Sequence, residues 1–358
     1  MLEAAYLLAI GKSPIASSDR EQVNWNVEQK GGHSQVQGVA REGDLTVKAQ
    51  IDFEIIPRPA PDVGPAITTT LRKSLRLNGS PSTASEFVGS VNVVLFSADD
   101  LTLVLGSPSG RRRYLDILIS QTDPIYLKTL QRYQRVVRNR NQLLRRIRDH
   151  KASDNEMVFW EERLIFEGAV ILDRRRRAVD AIAAEATDAH SRLTSHREAL
   201  SVVYRPRLTA ESDQSENEVP QSTKDAEQVL LSALAAVRKR EVAQGISIVG
   251  PHRDDLQILL GGKQASLFAS RGQARTIALA LKLAESEHLA HLSGRQPILA
   301  LDDVLSELDR ERRRLVIEAT GGYDQVLLTT TDFDLVDKTQ ISGAHKFKVC
   351  SGKVYPLK

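Results

Sequence analysis

Hydrophobic and polar positions divide the chain into stretches of different period. Leu2, Tyr6, Leu7 and Ala9 fall at helical spacing, and Gly11 with Pro14 supplies the stop, which predicts a helix over Leu2–Ile10. From Gln35 the period shortens to that of strands: Leu45, Val47, Ile51 and Phe53 make one run, and Leu71, Leu75 and Leu77 another. A breaker-rich stretch from Asn78 to Ser85 precedes the largely apolar run from Val91 to Phe96, which predicts a buried strand. Between Asp123 and Tyr204 there is hardly a breaker. Leu130, Val137 and Leu144, and then Met157, Leu164, Ile171 and Ala178, recur every seven residues. They predict two long antiparallel helices meeting at the N-cap-like pair Ser153-Asp154. The spacing suits a bundle packed on the body of the protein as well as it suits a free-standing coiled coil.

The stretch from Arg205 to Gln228, with Glu211, Asp213, Glu216, Glu218 and Pro220, has almost no apolar residues and predicts a mobile linker. A compact α/β pattern follows. Ser247 to Gly250 reads as the end of a strand, and Leu256–Leu260 with Ala265–Phe268 as a hairpin around Gly261-Gly262. Thr276 to His291 reads as an amphipathic helix, and Ile298–Leu301 and Val326–Leu328 as short buried strands. No internal repeat is visible. The boundaries so drawn are 1–110, an α/β body with an antiparallel β subdomain; 111–205, a helical arm; 206–228, a linker; and 229–358, the return of the body.

Composition narrows the class. With 41% hydrophobic and 27% charged residues the chain is an ordinary globular protein, neither collagen-like nor wholly disordered. A single cysteine, Cys350, rules out an internal disulfide and a zinc ribbon, and fits a reducing compartment. No apolar run is long enough to span a bilayer, and the first ten residues, with Glu3 and no basic leader, do not resemble a signal peptide, so the cytoplasm is expected. The net charge of +3 conceals an asymmetry: Arg111 to Lys151 holds twelve Lys/Arg against three Asp. A solvated helix face accounts for such a run equally well. The alternative is a surface for nucleic-acid phosphates, carried by Arg111, Arg112, Arg113, Arg132, Arg135, Arg138, Arg145 and Arg146, with Tyr114, Tyr126 and Tyr133 between them.

Two motifs carry chemistry. The run from Pro297 to Leu301 is an apolar strand that ends in Asp302-Asp303, and a core strand has no use for two adjacent carboxylates. Hard oxygen ligands at the carboxyl end of a strand suit Mg²⁺ accompanying a phosphate. Ser270-Arg271-Gly272-Gln273 stands directly before a helix, where backbone N–H groups and a hydroxyl would face an anion. Taken singly, each could be a helix cap.

Together these residues resemble the RecF family of ABC-type ATPases. Ser270-Arg271-Gly272-Gln273 is similar to the ABC signature, Asp302-Asp303 to the Walker B pair, and Ser306-Glu307-Leu308-Asp309 to the D-loop. Thr329-Thr330-Thr331 is similar to the switch segment, with Thr330 at its centre. Gly250 to Leu256, Phe96 to Leu101, Gly106-Ser107-Pro108 and Arg111-Arg112-Arg113 are also RecF-like.

The resemblance implies an ABC-type ATPase head with an inserted helical arm. It implies ATP and Mg²⁺ as cofactors, bound through Ser270, Arg271, Gly272, Gln273, Ser306, Asp309 and Thr330. Asp302 would hold the Mg²⁺ shell through water, and Asp303 would orient or deprotonate the attacking water. An aspartate where many ABC ATPases have glutamate implies slow hydrolysis, suited to a switch. The resemblance further implies DNA repair and recombination at single-strand gaps and junctions, the SOS response, RecR and RecO as partners, and an ATP-dependent homodimer.

The family's Walker A loop, which precedes the helix resembling Leu2–Ile10, is not among these residues. Gly11-Lys12-Ser13 follows that helix, and Tyr6 stands where the pattern needs glycine. Weakened autonomous ATP binding is therefore expected, with a truncated N-terminus as the expected cause. The competing expectation is a nucleotide-independent DNA-binding or scaffold protein.

Overall fold

The computed structural model describes residues 1–24, 32–59, 67–209, 219–336, 343–350 and 352–357. Helix α1 (Leu2–Ile10) buries Leu2, Tyr6, Leu7, Ala9 and Ile10, and Gly11 closes it in the left-handed conformation. Strands β1 (Gly32–Glu42), β2 (Leu45–Pro59), β3 (Ile67–Leu77) and β4 (Ser80–Ser82) form an antiparallel sheet in that order. The turn between β3 and β4 is Asn78-Gly79, both at positive φ, which pairs Leu77 with Ser80. One face of β2, through Ala49, Ile51, Phe53 and Ile55, packs with Leu7 and Phe87 in a small core.

After the short helix α2 (Ala84–Phe87) comes β5 (Val93–Phe96), buried at every residue. It lies beside β9 (Ile298–Asp302), which in turn pairs with β10 (Val326–Thr329), all parallel. A parallel sheet is covered on both faces, so its strands are continuous apolar runs. Here Leu2, Tyr6 and Ala9 cover one face together with Val93, Leu95 and Ala300. On the other, Val94, Phe96, Leu299 and Leu301 join the main core with helix α9 (Arg271–Ser293).

Short helix α3 (Leu101–Leu105) leads into α4 (Pro108–Ser120), whose Tyr114, Leu115 and Leu118 belong to that same main core. The boundary drawn at 110/111 thus falls within one helix, Pro108–Ser120, packed in a core that body and arm share. The two long helices are α5 (Pro124–Arg148) and α6 (Met157–Leu193), joined at a capping box of Ser153 and Glu156. Met157, Leu164, Ile171 and Ala178 are all buried, as the seven-residue spacing required. The arm is a packed bundle: Ala169, Leu172, Val179, Ile182 and Ala186 of α6 share the main core with Ile277, Leu281 and Leu289 of α9.

Four further differences from the sequence reading follow. β6 (Leu200–Arg205), placed at the end of the arm, instead pairs antiparallel with β7 (Asp255–Leu260). Residues 210–218 of the expected linker lie outside the described residues, but Thr223–Gln244 is a helix, α7, capped by Ser222. Its Ala233, Leu234 and Val237 pack against Leu130, Tyr133 and Leu164, which makes it the third helix of the arm. Ser247 to Gly250 consequently ends no strand and instead follows this helix. The hairpin at Gly261-Gly262 exists, but its second strand is only β8 (Lys263–Gln264), and Ala265–Phe268 is a helical turn, α8. Helix α10 (Arg310–Thr320) and a hairpin of β11 (Phe347–Cys350) and β12 (Lys353–Pro356) complete the described chain. Among the described residues, no helix is long and apolar enough to cross a membrane.

Candidate functional site

Because β5, β9 and β10 are parallel, their carboxyl ends open on one edge, where α/β sheets hold ligands. Leu299, Ala300 and Leu301 anchor β9 in the core, and the chain emerges at Asp302 and Asp303, both half-buried. Thr329 stands in register with Asp302 on β10. Its hydroxyl donates to Asp302 Oδ1 at 2.7 Å and accepts from the backbone N–H of Asp303 at 3.1 Å. Asp303 turns the chain off the strand at φ 49°, a left-handed conformation that aspartate tolerates better than most residues but that still costs about 1 kcal/mol. Its Oδ1 is buried without a hydrogen-bond partner. Such an atom is costly unless something binds it.

The next residues fix that turn. Ser306 donates to the carbonyl of Asp303 at 2.8 Å, and the guanidinium of Arg313 reaches the carbonyl of Leu305 at 2.7 Å. Asp309 caps α10 by accepting from the backbone N–H of Arg312 at 2.9 Å, and pairs with its guanidinium at 3.1 Å. Ser270 caps α9: it accepts from the N–H of Gln273 at 3.2 Å, while the Gln273 side chain accepts from the N–H of Ser270 at 2.8 Å. Arg271 is exposed at the same turn. A Cβ on Gly272 would sit 3.9 Å from Arg312 Nη1, so the first turns of α9 and α10 are neighbours. Arg275 and Asp303 line one narrow pocket of about 20 Å³ with Ser97 and Val304. The fold thus brings Asp302, Asp303, Ser306, Asp309 and the Ser270 turn to one edge, although that pocket has room for little more than a water.

At the expected switch segment, Thr329 is the threonine that touches Asp302, whereas Thr330, one residue past the end of β10, donates to the carbonyl of Asp332 at 2.8 Å and shapes the following turn.

Two positions carry no sequence signal at all. The Gln273 side chain donates to Glu198 Oε1 at 2.8 Å, and Glu198 Oε2 stands 3.9 Å from the wholly buried ring of His190. Burial holds that imidazole below its ordinary range, with Glu198 opposing the shift. The pair supports the signature turn from 75 residues away, a contact no local pattern announces.

The basic stretch divides into two groups. Arg111 is buried and grips Asp255 with two hydrogen bonds, at 2.7 and 2.9 Å, so its placement on a phosphate-facing surface is corrected: it joins α4 to β7. Arg132 holds Glu167 through two bonds at 2.6 and 2.8 Å, joining α5 to α6, although half of its side chain is exposed. Tyr114, Tyr126 and Tyr133 are core residues. Arg135, Arg138, Arg145 and Arg146 are exposed along α5, while Arg112 and Arg113 face a cleft beside α1. Gly11-Lys12-Ser13 closes α1, with Ser13 buried and donating to Glu3 at 2.5 Å, so it is no phosphate loop.

The carboxylate-tipped central strand, the serine-capped helix beside it and the arm inserted between β5 and β7 define an ABC-type ATPase head. No family model matches the chain. Curated relatives do. It is 35% identical over 360 residues to the DNA replication and repair protein RecF of Chloroflexus aurantiacus, covering 99% of this chain and 90% of that protein. It is 34% identical over 358 residues to RecF of Geobacillus kaustophilus, covering 99% and 89%. Among solved structures it is similar to the recombination mediator protein RecF-ATPrS of the RecFOR pathway, with a TM-score of 0.82, 28% identity, and coverage of 100% of this chain and 88% of that one. The RecF-ATP structure gives a TM-score of 0.79 at the same identity. The chain belongs to the RecF family of DNA replication and repair proteins.

Proposed function

We propose that the chain acts as an ATP-switched, DNA-binding recombination mediator in the cytoplasm, working at single-strand gaps and junctions with RecR and RecO. The observation that carries this reading is the unpartnered, buried Oδ1 of Asp303 beside Asp302 at the end of β9. The donor set fits Mg²⁺, which is usually held by one or two carboxylates together with substrate phosphates. Asp302, fixed by Thr329, would hold the ion through water, and the ion would supply charge neutralisation at the transferring phosphate. Asp303 would accept the proton of the attacking water or orient it. The short aspartate side chain suits a slow switch.

Ser270, with Gly272 behind it, would offer its hydroxyl and the first N–H groups of α9 to the γ-phosphate of a nucleotide held by a second subunit. Within a single chain the pocket at Asp303 is too small for a nucleotide, which supports a site completed across an ATP-dependent dimer. Arg135, Arg138, Arg145 and Arg146, exposed along α5, would contact DNA phosphates without reading sequence.

A mixing experiment tests this. The chain is combined with a relative that carries a glycine-rich phosphate loop, and ATP-dependent association and gapped-DNA binding are measured. Association is expected with the native chain and expected to fall at least tenfold with Ser270→Arg. With Asp303→Asn, association should persist while turnover stops. DNA binding that ignores ATP and both substitutions would instead establish a nucleotide-independent scaffold.

A further inference from the structure

A second cavity shares no lining residue with the pocket at Asp303. It lies where the end of α1 meets α4, the start of α5 and the turn at Pro251-His252, and its volume is about 770 Å³. Ligand cavities commonly span roughly 300–1,000 Å³. One wall is apolar, from Ile10, Ile117, Leu127 and Leu130.

The charges that face this space do not balance. Of its carboxylates, Asp116 is already taken by Arg175 at 2.8 Å and by the Tyr126 hydroxyl at 2.5 Å, and Asp19 by Lys73 at 2.8 Å. Arg175 is likewise committed, to Asp116, Asp254 and the carbonyl of Pro251. Burial pushes His252 down to about 4, so its ring is neutral at pH 7, and the Tyr133 hydroxyl and the carbonyl of Ser247 occupy its two nitrogens. Three cations are left over. Arg112 spends only Nη1, on the carbonyl of Asp254 at 2.6 Å. Its own charge is disfavoured, first by partial burial and then by the neighbouring Arg175 guanidinium. Arg113 makes one long hydrogen bond, at 3.3 Å, to the carbonyl of Ser13, and Lys12 is exposed at the rim.

Two guanidinium forks with open N–H groups beside an apolar wall, that of Arg112 partly buried and that of Arg113 exposed, are the recognition chemistry of a phosphate attached to a flat or apolar group. We propose that this cleft is a second phosphate-ester site, which seats one nucleotide with its phosphate between Arg112, Arg113 and Lys12 and its base against the apolar wall. The ligand is either a free mononucleotide or one nucleotide of a DNA strand. The site needs neither Mg²⁺ nor the Asp302 edge, so it stands or falls separately from the reading above.

The test is titration calorimetry in EDTA with AMP, with an unphosphorylated nucleoside and with a short single-stranded oligonucleotide. Binding of AMP, of the oligonucleotide or of both is expected, and which of them binds identifies the source. Arg112→Gln should weaken it at least tenfold. The surface pair Lys12→Glu with Arg113→Glu, which leaves the buried bonds of Arg112 in place, should do the same without lowering Tm. Asp302→Asn should leave it unchanged. Binding of none of the probes, equal binding of the nucleoside and AMP, or full affinity in the folded Lys12→Glu/Arg113→Glu protein would overturn the proposal.

Discussion

Arg140 and Asp303 are both charged groups withdrawn from water, and their surroundings differ in kind. Arg140 has no exposed surface, yet it reaches Glu241 at 2.5 Å, Glu161 at 3.2 Å and the Ser247 hydroxyl at 2.7 Å, with only its Nε unpaired. Glu241 in turn accepts from the backbone N–H of Ile248 at 2.7 Å. This set pins α5 to α7, and the network of Arg175, Asp116, Asp254, Tyr126 and Tyr204 pins the arm to the body in the same way. At the end of β9 the reverse holds: a carboxylate oxygen is buried without a partner on a strained residue. Paired charge in the interior is a joint, and an unpaired carboxylate oxygen beside backbone strain is the feature on which the proposed ligand site rests.

The largest effect should come from breaking a joint. Arg140→Ala leaves Glu241 charged in the core and should cost about 3–5 kcal/mol in urea unfolding; a loss under about 1 kcal/mol would mean that the joint does not hold the arm. Second is pH. His252, ordinarily at 6.5, is held at about 4 in the fold, so below 6.5 the unfolded chain takes up a proton that the folded chain refuses. Stability is therefore full above pH 6.5 and falls by about 3 kcal/mol as pH drops to 4, beyond which this contribution levels off. His252→Gln should flatten that slope, which denaturant midpoints measured across the range would show.

Smaller effects are expected at the ligand-facing edge. Ser270→Ala removes the cap of α9 and should cost about 1 kcal/mol, visible as faster amide exchange in the first turn. Asp303→Gly releases the positive-φ strain and the lone carboxylate, and should raise stability by about 0.5–1 kcal/mol while abolishing turnover. If it lowered stability, Asp303 would belong with the joints.

Local periodicity settled much of this molecule in advance. The helix at Leu2–Ile10, the seven-residue core stripe of α6, the buried β5 and β9, and the Ser270 cap each depend on residues within a few turns of one another, so composition and spacing suffice. The pairing of β6 with β7, the third arm helix, the burial of Arg111 on Asp255 and the support of Gln273 by Glu198 and His190 join segments far apart in sequence. A charged side chain looks the same in the sequence whether it is buried on a partner, as Arg111 is, or exposed to water, as Arg138 is. That distinction is made by packing, because desolvation and pairing are properties of the place where the fold puts a charge.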